Sequence, residues 1–87
     1  MKERDVVIGH RLGLHARAAA KLVQLSTRFE SNIVLSRPDA NTPLQADGRS
    51  ILSILLLSAG YGSKLCVRAD GVDEDQALES ICEYLSG

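Results

Sequence analysis

The chain has 87 residues, enough for one compact domain with a modest core and too few for a second. Its net charge is -1 and its aromatic residues are Phe29, Tyr61 and Tyr84 alone. That balance speaks against nucleic-acid binding, which draws on a basic excess and stacking aromatics. Cys66 and Cys82 lack CxxC spacing and a neighbouring histidine, so they read as packing residues of a reducing compartment and not as zinc ligands.

Met1 to Asp5 leads into only a short apolar stretch, unlike a secretory leader. Val6 to Ile8 is β-branched and predicts a first strand ending at Gly9. His10 to Leu14 is a loop containing Gly13. From Ala16 the residues become helix formers, and Ala18, Leu22, Leu25 and Phe29 recur at helical spacing. This predicts a helix from about Ala16 to about Phe29. Ile33 to Leu35 reads as a second strand. Pro38 to Pro43 is dense in turn residues and reads as a hairpin connection, with Leu44 to Ala46 as the third strand.

Ser50 precedes an apolar segment that predicts a short helix, about Ile51 to Ser58, although so short a run is also compatible with a strand. Ile51 to Leu57 is the longest apolar stretch. Ser53 interrupts it, and it is far too short to span a bilayer. A soluble, cytoplasmic protein without membrane insertion is therefore expected. Gly60 to Ser63 is a turn. Leu65, Val67 and Ala69 then alternate with Lys64, Cys66 and Arg68, the period of a half-buried strand. Asp73 and Gln76 are spaced like a capping box. The helix they would open runs from about Glu74 to Leu85, with Ala77, Leu78, Ile81, Cys82 and Leu85 on its apolar stripe and Glu79 and Glu83 on its wet side.

The order β-α-β-β-α-β-α predicts an α+β domain, an antiparallel sheet carrying helices on one face. Charge is uneven along it. Residues 1–38 hold seven Lys or Arg against three acids, and residues 70–87 hold six acids and no base. This predicts one basic end and one acidic face, unless each set only solvates its own surface.

His15 stands where the glycine-bearing loop meets the first long helix. A helix start presents unpaired N–H groups and the positive end of the helix dipole, which together favour an anion. A neutral imidazole there has a free lone pair and can attack phosphorus. The N–H groups of the first turn, at Ala16 and Ala18, can then cradle the new charge. Arg17 can pair with phosphoryl oxygens. Phosphoryl transfer needs mostly positioning and charge stabilisation, which this segment supplies. A histidine at a helix start also serves as a cap or as a plain surface residue, and the residues alone leave both readings open.

Three blocks carry a resemblance. Gly13-Leu14-His15-Ala16-Arg17-Ala18-Ala19, Arg49-Ser50-Ile51-Leu52 and the acidic Ala69–Leu78 approach to the last helix, taken together and in order, resemble HPr, the histidine-containing phosphocarrier family of the phosphoenolpyruvate-dependent phosphotransferase system. The resemblance covers essentially the whole chain. It implies an open-faced β-sandwich, four antiparallel strands under three helices. It implies a carrier, not an enzyme in the usual sense, that accepts a phosphoryl group from enzyme I and passes it to enzyme IIA-type domains for sugar uptake or regulation. It implies no cofactor and no metal. His15 matches the phosphorylated histidine, modified at Nδ1, and Arg17 the arginine beside it.

Ala18 departs from the pattern, in which proline commonly follows the arginine. Proline suits a first helical turn because it lacks an N–H, but alanine is an excellent helix former and its extra N–H can point at an anion. Ser50 matches a serine that some members have phosphorylated by an HPr kinase/phosphorylase. Physically it is also a standard helix N-cap. Lys21, Arg49, Ile51, Leu52 and Leu55 match the docking surface, and at least one of Ile51 and Leu52 is expected to be exposed beside His15. His10 matches no catalytic position and reads as a loop residue. A monomer is expected. The alternatives are a regulatory binding module acting through the Ser50 surface, and a nucleic-acid binder or acyl-phosphate hydrolase on a similar frame.

Overall fold

The computed structural model describes residues 1–38 and 44–87. Its elements follow the expected order: β1 (Lys2–Val7), α1 (Ala16–Ser26), β2 (Asn32–Arg37), β3 (Leu44–Asp47), α2 (Ile51–Leu56), β4 (Lys64–Asp70) and α3 (Glu74–Leu85). The strands form one antiparallel sheet in the order β1-β4-β2-β3. The hairpin connection expected over residues 38–43 lies, Pro38 apart, outside the described residues.

Alternation along the strands decides the layers. Leu65, Val67 and Ala69 of β4 are fully buried, while Lys64, Cys66 and Arg68 face the other way. Register carries the pattern across the sheet. Val67 stands opposite Leu35 on one side and Arg4 on the other, and Leu35 stands opposite Ala46. The three helices cover this inner face, and Leu22, Ile54, Ile81 and Leu85 join the strands in one core. Each such side chain contributes about 1.5–3 kcal/mol when fully buried. The outer face is open and carries cross-strand ion pairs, Glu3 with Arg68 at 3.5 Å and Asp5 with Lys64 at 4.0 Å.

β1 begins four residues before the predicted Val6. Lys2 to Asp5 carry no apolar signal, but they complete the ladder with β4, from Lys2 opposite Ala69 to Val7 opposite Lys64. β1 is an edge strand, where charged residues discourage pairing with another chain. The acids expected to form a bare acidic face are partly matched at this edge. The Met1 ammonium lies 3.5 Å from Asp70 and 3.3 Å from Glu74, and Lys2 lies 2.6 Å from Asp75.

α1 stops at Ser26, three residues short of the predicted Phe29. The amides of Arg28 and Phe29 bond the carbonyls of Leu25 and Ser26, which tightens the chain out of the α-helix. Its buried face is Ala18, Ala19, Leu22 and Ser26, whereas Leu25 and Phe29 are only half-buried. α2 is a helix but ends at Leu56. Ser58 takes a left-handed φ of 52°, and Arg37 donates to the carbonyls of Leu57 (3.1 Å) and Ser58 (3.2 Å).

The capping box at Asp73 does not form. Asp73 is the N-cap of α3, but its side chain makes no cap bond. Its carboxylate instead accepts from the amides of Glu30 and Ser31, each at 2.9 Å, and from the Ser31 hydroxyl at 2.5 Å. The Ser31 hydroxyl and the Glu30 amide hold this carboxyl below the usual carboxylate range. Glu74, one residue on, accepts from the Gly71 amide at 3.2 Å. Asp73 thus staples the start of α3 to the turn after α1.

Candidate functional site

The loop before α1 is docked, not free. Gly13 adopts a φ of +69°, and a Cβ there would lie 2.6 Å from the Ala59 carbonyl oxygen and 2.8 Å from Gly60 Cα. Only glycine combines that backbone with that approach. The Gly13 amide donates to the His10 carbonyl and the Leu14 amide to the Ala59 carbonyl, both at 2.9 Å. Leu14 is buried beneath. The next residue, His15, is therefore delivered from a fixed base.

His15 is the N-cap of α1. Its backbone is extended, its carbonyl accepts from the Ala19 amide at 2.8 Å, and its imidazole makes no cap bond. The ring is half-buried and available. With no cap side chain, the amides of Ala16, Arg17 and Ala18 meet no helical carbonyl, and the first turn holds no acid. Arg17 and Lys21 are exposed and have no ion-pair or hydrogen-bond partner among the described residues. His10, His15, Arg17, Ala18, Lys21 and Tyr84 line one shallow depression of about 200 Å³. An open hollow with two unpaired cations, unpaired amides and a free imidazole fits a small dianion such as a phosphoryl group.

The structure brings His15, Arg17, Ala18 and Lys21 to this depression and leaves Arg49 and Ser50 outside its lining. The Arg49 guanidinium is spent on the turn after α1, donating to the carbonyls of Phe29 (2.8 Å) and Ser31 (3.1 Å). Ser50 is the N-cap of α2, accepting from the Ser53 amide at 3.3 Å and donating to the Ser53 hydroxyl at 3.0 Å. On α2 both Ile51 (42%) and Leu52 (68%) are exposed, while Leu55 is half-buried against the core. On the same helix Leu56 (66%), which sequence reasoning missed, is also exposed. Leu56 was within reach, since it lies four residues after Leu52 on the same helix face.

Cys66 and Cys82 are free thiols, and burial pushes both above the ordinary thiol range. That suits packing residues and not nucleophiles. Among the described residues no cluster of metal-ligating side chains forms, and no helix is long and apolar enough to cross a membrane.

The model of the family described as "PTS HPr component phosphorylation site" matches residues 2–86. The chain belongs to the HPr phosphocarrier family of the phosphotransferase system. It is 42% identical to the phosphocarrier protein HPr of Cupriavidus necator, over 99% of this chain and 92% of that one. It is 39% identical to the phosphocarrier protein NPr of Shewanella violacea, over 92% of this chain and 84% of that one. Among solved structures, HPr-C-His from Thermoanaerobacter tengcongensis superposes with a TM-score of 0.87 at 30% identity, covering 98% of this chain and 91% of that one. HPr and NPr relatives both match at similar identity.

Proposed function

We propose that this chain carries a phosphoryl group on His15 Nδ1, accepting it from phosphorylated enzyme I and passing it to an enzyme IIA-type domain. The observation that supports this best is the uncapped helix start. His15 sits at the N-cap of α1 with no cap bond from its ring, beside the first-turn amides and an Arg17 that has no partner among the described residues. A merely structural N-cap histidine would spend its ring on those amides.

Transfer begins with the neutral imidazole, its proton on Nε2. The Nδ1 lone pair attacks phosphorus in line, a P–N bond forms, and the bond from phosphorus to the donor breaks with its electron pair leaving on the donor. Arg17 and the amides of Ala16 and Ala18 hold the equatorial oxygens, which carry the negative charge. Because Nε2 keeps its proton, bonding at Nδ1 makes the phosphorylated ring cationic, and a cationic ring is a good leaving group for the onward step. The chain is consumed and regenerated stoichiometrically and needs no metal or cofactor of its own. Lys21, Ile51, Leu52 and Leu55, with Arg49 at the margin, form the surface on which partners dock.

The test is a reconstituted relay with the enzyme I and a IIA-type domain of the same cell, following a labelled phosphoryl group. The expected result is label on this chain, then on the acceptor, with neither step in His15→Ala. Label that reaches the acceptor equally well without this chain would refute the carrier role. A regulator acting through the Ser50 surface would instead bind its target unchanged in His15→Ala.

A further inference from the structure

His10 reads from the sequence as an ordinary loop residue, but the structure gives its ring two partners at once. Its Nε2 lies 2.7 Å from the Tyr84 carbonyl oxygen, 74 residues away in the chain. A carbonyl only accepts, so Nε2 carries the proton and donates. The two rings also pack at a centroid distance of 4.8 Å with a tilt of 48°. Tyr84 is itself tied to the phosphoryl depression, because its hydroxyl donates to the Ala18 carbonyl at 3.4 Å in the first turn of α1. The neighbouring residue shares the dock. The Gly9 amide donates to the Leu85 carbonyl at 2.9 Å, and a Cβ on Gly9 would sit 1.8 Å from the Ser86 carbonyl oxygen. The His10 carbonyl in turn accepts from Gly13, two residues before His15.

From this we infer that His10 is a positioning residue for phosphoryl transfer at His15. It clamps the loop before His15 onto the C-terminal end of α3, and Tyr84 extends the clamp to the first turn of α1. Loop and helix start therefore move as one body, which keeps Nδ1 of His15 in fixed register with the amides of Ala16 and Ala18. A displacement of an ångström at a reacting atom costs up to about a hundredfold in rate, so a contact outside the reacting groups can govern the chemistry. His10 lines the same depression as His15 and Arg17 without belonging to the docking surface on α2. The inference rests on the phosphocarrier reading of His15 for its consequence, but not for the clamp itself.

Two measurements separate the two. The first is amide hydrogen exchange at Gly13 and Leu14 in the unphosphorylated protein. His10→Ala should exchange at least about tenfold faster at both amides. His10→Gln, whose amide nitrogen can occupy the Nε2 position, should stay within about threefold of wild type. The second is steady-state phosphorylation by enzyme I. His10→Ala should lower kcat about tenfold with KM unchanged within twofold, and His10→Gln should recover most of kcat. Unchanged exchange in His10→Ala would overturn the clamp. Equal impairment of both variants would show that the Nε2 donor is not what acts, and would also overturn it. A KM effect alone would make His10 a docking contact and refute positioning. Faster exchange in His10→Ala, together with a wild type that accepts no phosphoryl group, would leave the clamp standing and sink the carrier reading instead.

Discussion

Gly13→Ala is the substitution that probes the base of the site. Three contributions set its size. A non-glycine residue at φ of +69° costs about 1–2 kcal/mol. The new methyl would stand 2.6 Å from a backbone oxygen that cannot swing aside, so loop and 59–60 segment must part. Parting weakens the 2.9 Å bond from the Leu14 amide to the Ala59 carbonyl, worth about 0.5–1.5 kcal/mol, and loosens the buried Leu14 beneath it. Against these, alanine restricts the unfolded chain and returns about 0.4–1 kcal/mol. The net expectation is a loss of roughly 1–3 kcal/mol. Urea unfolding followed by circular dichroism should show a lower midpoint with an unchanged slope. Phosphoryl acceptance should fall at the same time, because His15 is delivered by this loop. A stability change within about 0.5 kcal/mol, the range of an ordinary surface substitution, would refute the docked-loop description.

Three further outcomes follow from the geometry. Asp73 holds its carboxyl below the ordinary value of 3.8, so the stability it adds is complete above that pH and is lost as pH falls through the lowered value. Acid unfolding of wild type should therefore be steeper below about pH 4 than that of Asp73→Asn, and parallel titrations would contradict the staple. Ser50→Ala removes the cap of α2 and should cost about 1 kcal/mol in urea unfolding while His15 still accepts a phosphoryl group. Leu52→Ser, at an exposed position, should leave unfolding within about 0.5 kcal/mol of wild type yet raise the KM for enzyme I several-fold in steady-state assays. An unchanged KM would remove Leu52 from the docking surface.

What could be read from the sequence was what is local. His15, Arg17 and Ala18 share one helical turn, so residue spacing alone brings them together. Strand β4 announces itself by strict alternation. The element order followed, and with it the fold. What escaped depends on partners distant in the chain. Asp73 looked like a cap because Gln76 sits three residues on, but Glu30 and Ser31 compete for its carboxylate from more than forty residues away. His10 looked idle because Tyr84 is 74 residues off. The bonds from the Arg49 guanidinium to the carbonyls of Phe29 and Ser31 escaped for the same reason, since those residues lie 18 to 20 positions away. The first part of β1, Lys2 to Asp5, was hidden by its charges, which are tolerated because the strand lies at the sheet edge.

The most direct test of the central claim is to locate the phosphoryl group. Uniformly ¹⁵N-labelled protein, phosphorylated with enzyme I, magnesium and phosphoenolpyruvate at neutral to alkaline pH, would be examined by long-range ¹H–¹⁵N spectroscopy of its two histidine rings. The expected result is a large shift of His15 Nδ1 with a directly bonded phosphorus, reversed on acidification, and a His10 ring whose proton sits on Nε2. An unmodified His15 ring, or phosphorus bonded to His10 instead, would contradict it.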